Sequence, residues 1–258
     1  AAELLVHQRM RLIVGEFIER DIITAAVLPK FKEVLASAMK LRNSVAIELI
    51  LFILIFVGGY YLWSAVSGIA KIGTGTGTWY ATVTDGGTQL SPAGYWYIFL
   101  SRPLFQFILI RWYFRVFIWA RFLWQSSRLE LKLIPTHPDR AAGLEFLGRS
   151  SAAFAPLLFA QGVLLAGTMA NRIFFAGAKL TDFKMEIVGG VGVLLLLVLG
   201  PLLFFSASLM RAKRTGLREY GMLASRYVSE FDLKWVRGGA PDDEPLVGSG
   251  DIQSLADL

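Results

Sequence analysis

The stretch that most constrains this chain runs from Tyr95 to Trp124, YWYIFLSRPLFQFILIRWYFRVFIWARFLW. It is longer than the ~20 residues a helix needs to cross hydrocarbon, and it is mostly apolar. Yet it carries Arg102, Arg111, Arg115 and Arg121, and no acidic residue lies between Asp85 and Glu130. An arginine facing lipid at mid-span costs about 2.5–3.5 kcal/mol on insertion scales. Such a segment crosses a membrane only if something else compensates its cations.

The remaining composition fits a multi-pass membrane protein. Hydrophobic residues fill 55% of 258 positions, and the mean hydropathy is +0.53. Whole segments are apolar all round, as helices facing lipid and each other are. The chain has no cysteine, which removes disulfides, thiol catalysis and cysteine-ligated metal. His7 and His137 are the two histidines, too few for a histidine-built metal site in one chain. No cofactor is expected. The net charge of +6 points to loops facing anionic phospholipid rather than to nucleic acid. The first residues, AAELLVHQRM, lack the basic head and apolar run of a signal peptide.

The expected fold class is an all-α integral membrane protein. It has four transmembrane helices, amphipathic cytoplasmic N-terminal helices and a cytoplasmic C-terminal helix. Residues 1–43 read as two helices, roughly Glu3 to Val27 and Pro29 to Leu41, because proline suits a first helical turn but not an interior. Interleaved charges such as Arg9, Arg11, Glu16 and Arg20 place them on the membrane surface or against a partner helix. A solvated helical pair capping the bundle is the plainer alternative. Residues 44–210 hold spans at about 45–66, 95–124, 151–175 and 186–210. Asn43-Ser44 offers the first span an N-cap, and Tyr60, Tyr61 and Trp63 mark its far interface.

Between the first two spans, GTGTGT (73–78) reads as a mobile loop, and Asp85-Gly86 as a hairpin turn. Ser101-Arg102-Pro103 breaks the second span near its outer end, and Pro201 kinks the fourth. Gly162, Ala166 and Ala170 form a small-residue stripe on the third. Residues 211–258 form the tail. Basic residues cluster in the N-terminal segment, the middle loop and the tail, whereas the other connections hold only Lys71, Lys179 and Lys184. The positive-inside rule then puts both ends in the cytoplasm.

The loop IPTHPDRAAGLEFLG (Ile134 to Gly148), the preceding arginine-bearing span and the terminal DIQSLADL resemble a family of uncharacterised bacterial inner-membrane proteins. Its members carry a loop closer to HPDRAGGLGFL, so Ala142 and Glu145 stand where the family has glycine. The resemblance implies a bacterial inner-membrane location and no assigned activity. Its members continue into further apolar segments, which makes Leu258 a truncation point or the end of the ordered chain.

Arg111 and Arg115 are four apart and share one helix face. With Trp124 at the cytoplasmic boundary, Arg121 lies one turn deep and pairs with Glu48. Gln161 matches Arg115 in depth, and Arg111 is left without an acid. Three explanations compete for Arg111: a water-filled anion pathway, a bound lipid phosphate, or hydrogen bonds to helix carbonyls and Gln106. Gln161, Thr168 and Asn171 can bond across helices. In the middle loop Asp139 is an N-cap for the third span's extension, with His137, Pro138 and Arg140 around the turn. Metal or proton chemistry at His137 and Asp139 is the alternative. No nucleophile-base pair, carboxylate dyad or dinucleotide fingerprint is present, so no enzyme is expected. The expectation is a homo-oligomeric channel or transporter for anions, with Arg111 and Arg115 facing the pathway. The alternative is a non-enzymatic scaffold or accessory subunit that docks a cytoplasmic partner.

Overall fold

A computed structural model describes residues 2–70, 81–84, 87–241, 245 and 250–256, with side chains described for 8–58, 90–241, 245 and 250–255. The run at 73–78 and the Asp85-Gly86 turn lie outside the described residues, as do the side chains of Tyr60, Tyr61 and Trp63. The chain is predominantly helical. Strands β1 (Ala81–Thr84) and β2 (Gly87–Leu90) pair antiparallel with Thr84 opposite Gly87, the register of a hairpin around Asp85-Gly86.

The N-terminal segment makes α1 (Ala2–Glu19) and α2 (Leu28–Arg42). The first helix stops at Glu19, well short of the expected Val27. Asp21 takes a left-handed backbone with φ 56. The Ile23 N–H then turns back to the Phe17 carbonyl at 3.1 Å. This corner buries Ile22 and Ile23. The middle loop fastens it, since the Lys132 N–H donates to the Ile22 carbonyl at 2.9 Å. Pro29 opens α2, where its missing N–H costs no hydrogen bond.

Helix α3 (Val45–Ala70) leaves α2 at a bend of 43°. The Asn43 side chain accepts from Arg42 Nε instead of capping α3. The Ser44 carbonyl starts the ladder by accepting from the Glu48 N–H. Helix α4 (Pro92–Trp96) is capped by Ser91, whose Oγ accepts from the Gly94 N–H at 3.0 Å. It runs through a wide π turn (Tyr97–Ser101) into α5 (Arg102–Ser126). Pro103 lacks the N–H that would close an ordinary turn. The helix absorbs it with the π turn and continues.

A 3-10 segment (Glu145–Phe154) leads into α6 (Ala155–Ala176), which Gly177 ends with a left-handed C-cap at φ 68. Helix α7 (Lys184–Leu199) reaches a second 3-10 segment (Gly200–Phe205) at Pro201, then α8 (Ser206–Phe231). This run is helical throughout and passes straight across residue 210. The tail ends in α9 (Gly250–Ala256). Asp251 fastens α9 to α8, accepting from Lys234 Nζ at 2.9 Å and Trp235 Nε1 at 3.0 Å.

Among the described residues two helical runs, Glu145–Ala176 and Leu180–Val236, are long and apolar enough to cross a membrane. A third qualifies if the bent α2–α3 pair counts as one span. The packed core meets these runs mainly at their 3-10 segments. Phe17, Phe31, Phe122, Phe146 and Phe205 come together from α1, α2, α5 and the two 3-10 segments, with Leu123 fully buried beside them. Ring centroids lie 5.0 Å apart for Phe17 and Phe146, and 5.4 Å for Phe17 and Phe31. Residues 1–43 thus cap the bundle. Glu16 ties α1 to the first 3-10 segment through Arg149 at 2.6 Å.

Candidate functional site

Helix α5 is divided by its neighbours. Its last turns, with Trp119, Phe122 and Leu123, are buried in the cap. Arg111 meets the start of α3, where its Nη2 lies 3.0 Å from Glu48 Oε1. The expected pair of Glu48 with Arg121 is therefore not formed. Arg121 Nη1 donates to Ser37 Oγ on α2 at 3.0 Å. The reason is register. The last turns of α5 pack beside α2, so Arg121 faces α2 and not the start of α3. Arg121 lies ten residues, or about 15 Å, beyond Arg111. Glu48, one turn into α3, is level with Arg111, which has an acid after all.

Arg111 and Arg115 face an open cleft of about 940 Å³. Helix α1 contributes Met10, Arg11 and Val14; α2 contributes Leu35, Ala38, Met39 and Arg42. Glu48 enters from α3, Ile118, Trp119 and Phe122 from α5, and Phe154 from the first 3-10 segment. Four guanidinium groups and one carboxylate share the cleft with mostly apolar walls. Aromatic rings hold the two α5 arginines: Arg111 lies over Phe107 and Arg115 over Trp112, each 5.8 Å from the ring centre. A guanidinium offers a planar fork of donors that matches carboxylate and phosphate oxygens.

The other expected site residues fall outside this cleft. Gln106 lies further up α5, half-buried. Gln161 is half-buried on α6, and its buried Nε2 has no partner among the described residues. Thr168 Oγ1 donates to the Leu164 carbonyl within its own helix, not across to another. Asn171 is exposed. Arg172 instead makes the cross-helix contact, 3.2 Å from Glu186 at the start of α7.

The middle loop is organised by Asp139, whose side chain is only 5% exposed. Its Oδ1 accepts from the Ala141 N–H at 2.9 Å and the Gly143 N–H at 3.1 Å; Oδ2 accepts from the Glu145 N–H at 3.2 Å. His137 Nδ1 lies 2.8 Å from Oδ1. It also lies 3.3 Å from the Asp139 N–H. The shorter contact marks Nδ1 as the protonated nitrogen, donating to the carboxylate. Burial pushes the Asp139 carboxyl up, but the three backbone donors and His137 outweigh it and hold it at about 2. Asp139 therefore caps the loop and the entry to a 3-10 segment, not an α-helical extension. Arg140 is exposed, with φ 56.

The sequence reading missed Arg11 and Arg42. Arg42 had a local signal, since it precedes Glu48 by six residues and must sit near the entrance of α3. Arg11 had none, because only the fold brings α1 to α5. No family model, curated protein or solved structure matches the chain.

Proposed function

We propose that this chain is a multi-pass bacterial inner-membrane protein with four spans and cytoplasmic termini, and that its basic cleft binds an anion at the cytoplasmic end of the bundle. The observation that carries this is the convergence of Arg11, Arg42, Arg111 and Arg115 from three helices on one cleft that holds a single carboxylate. The further span in this reading is the continuous helix from Pro92 through the π turn to about Arg111, close to the ~20 residues a crossing needs. The cleft then sits at headgroup depth, where long cationic side chains reach water. Binding, not covalent chemistry, suits a lining of guanidinium, amide and apolar side chains. The HPDR loop keeps its proposed family: Ala142 has φ 54, a backbone that favours the glycine found there in the resembled proteins.

The test is saturable thermal stabilisation of the detergent-purified protein by phosphate or sulfate at constant ionic strength. The stabilisation is expected to vanish in Arg111→Leu/Arg115→Leu and to persist in Arg226→Leu, a control on the exposed face of α8. No saturable effect in the wild type, or an undiminished one in the double variant, overturns the proposal. Conduction by an oligomer adds a pathway through several copies and is tested separately, by anion flux into liposomes that falls in the same double variant. The scaffold reading has less support, because Ile13, Phe17, Ile22, Ile23 and Phe31, among the described residues of α1 and α2, are buried inside the cap.

A further inference from the structure

A bare inorganic anion uses little of this cleft. Its volume of about 940 Å³ lies in the range that buries an organic ligand, roughly 300–1,000 Å³. Its lining combines two chemistries: Arg11, Arg42, Arg111 and Arg115 share it with Met10, Val14, Leu35 and Met39. A second observation adds apolar surface beside Arg111. Arg111 lies over Phe107, Phe107 packs edge-on against Phe52 at 5.7 Å, and Phe52 packs on Phe56 at 4.3 Å. This aromatic seam climbs away from the arginines between α3 and α5, and Phe52 and Phe56 remain 44% and 37% exposed. A cationic cleft with an exposed apolar seam rising from Arg111 matches a molecule with a phosphate at one end and a hydrocarbon chain at the other.

We infer that the cleft takes a phosphate-bearing amphiphile, its phosphate on Arg11, Arg42, Arg111 and Arg115 and its chain along the apolar wall and seam. This rests on the anion-binding proposal and narrows its ligand class. The phosphate belongs to a lipid headgroup or to a free phosphate ester, and the chain distinguishes the two.

The experiment titrates the full chain, in non-ionic detergent, with three probes: dihexanoyl phosphatidylglycerol, glycerol phosphate and dihexanoylglycerol. Thermal stabilisation is the readout. The phosphatidylglycerol is expected to bind at least about tenfold more tightly than glycerol phosphate, a gain that two buried methylenes supply. The dihexanoylglycerol, which keeps the chains and lacks the phosphate, is expected to give no saturable shift. Arg11→Ala/Arg42→Ala removes two exposed cations of the cleft and is expected to weaken both anionic probes. Met39→Ser is expected to weaken only the phosphatidylglycerol. Equal binding of the two anionic probes overturns the amphiphile inference and leaves the anion proposal standing. Saturable binding of the dihexanoylglycerol, equal to that of the phosphatidylglycerol, overturns the role of the phosphate. Saturation by no probe, or affinities indifferent to the arginine variants, overturns both readings.

Discussion

The cap and the candidate spans use the same apolar residues in opposite ways. In the cap, Phe17, Phe31, Phe146, Phe154 and Phe205 are at most 1% exposed. In the two apolar runs, only 22% and 11% of the most hydrophobic window is buried within the chain. Phe159, Phe174 and Phe175 stand on the surface of α6, more than three-quarters exposed. The cap therefore folds as a soluble core does, by removing aromatic surface from water and meshing rings at edge and tilted angles. The spans gain little from their own chain, and their apolar faces need lipid or further copies. Arginines at the junction of the two regions can keep their charge, because one side of the junction is open and the other supplies rings and Glu48.

Phe17→Ala tests the contrast most severely. Phe17 lies within ring contact of Phe31, Phe122, Phe146 and Phe205. Its removal is expected to cost about 3–5 kcal/mol, read as a lowered denaturant midpoint for the cap. The matching change in a span, Phe174→Ala, is expected to shift the same midpoint by less than about 0.5 kcal/mol. Equal losses at the two sites would erase the distinction between regions.

Asp139→Asn comes next. The amide keeps the shape but removes the charge from three backbone hydrogen bonds, for an expected loss of about 1.5–3 kcal/mol near neutral pH. The sign of the pH dependence follows from the direction of the shift. The folded carboxyl, at about 2, lies below the ordinary aspartate value of about 3.9. Its contribution is full above that ordinary value and is lost as pH falls through about 2. The wild-type advantage over the variant should therefore shrink between those limits; a constant gap would show that the loop does not depend on the charge.

Ala142→Gly has the smallest expected effect and the opposite sign. A left-handed backbone costs a residue with a Cβ about 1–2 kcal/mol, and glycine returns part of that as unfolded-state entropy. The net expectation is a gain of up to about 1 kcal/mol in thermal stability. A loss would mean that the loop does not hold the φ of 54.

Local features were legible in the sequence. Pro29 opens a helix, Pro201 breaks one into a 3-10 segment, and strands flank Asp85-Gly86, because each depends on a few adjacent residues. The end of α1 was not legible, since the corner at the left-handed Asp21 is held by the Ile23–Phe17 and Lys132–Ile22 backbone hydrogen bonds. The length of α5 was visible, but its division between span and cap was not. That division depends on Trp119 and Phe122 finding Phe17 and Phe31, which periodicity cannot show. The misplacement of Glu48 against Arg121 follows from that one missing register. The cleft was half visible: Arg111 and Arg115 stood out, whereas Arg11 and Arg42 looked like ordinary solvated charges.

The central claim is that the arginines of α5 line an open cleft beneath the cap. The chain contains no cysteine, so Met39→Cys places a single thiol on the cleft wall. Its rate of modification by a charged, membrane-impermeant maleimide should be measured with and without dihexanoyl phosphatidylglycerol. Rapid labelling that the lipid suppresses is the predicted result. A thiol that is unreactive from the start, or labels equally fast with lipid present, would contradict the account.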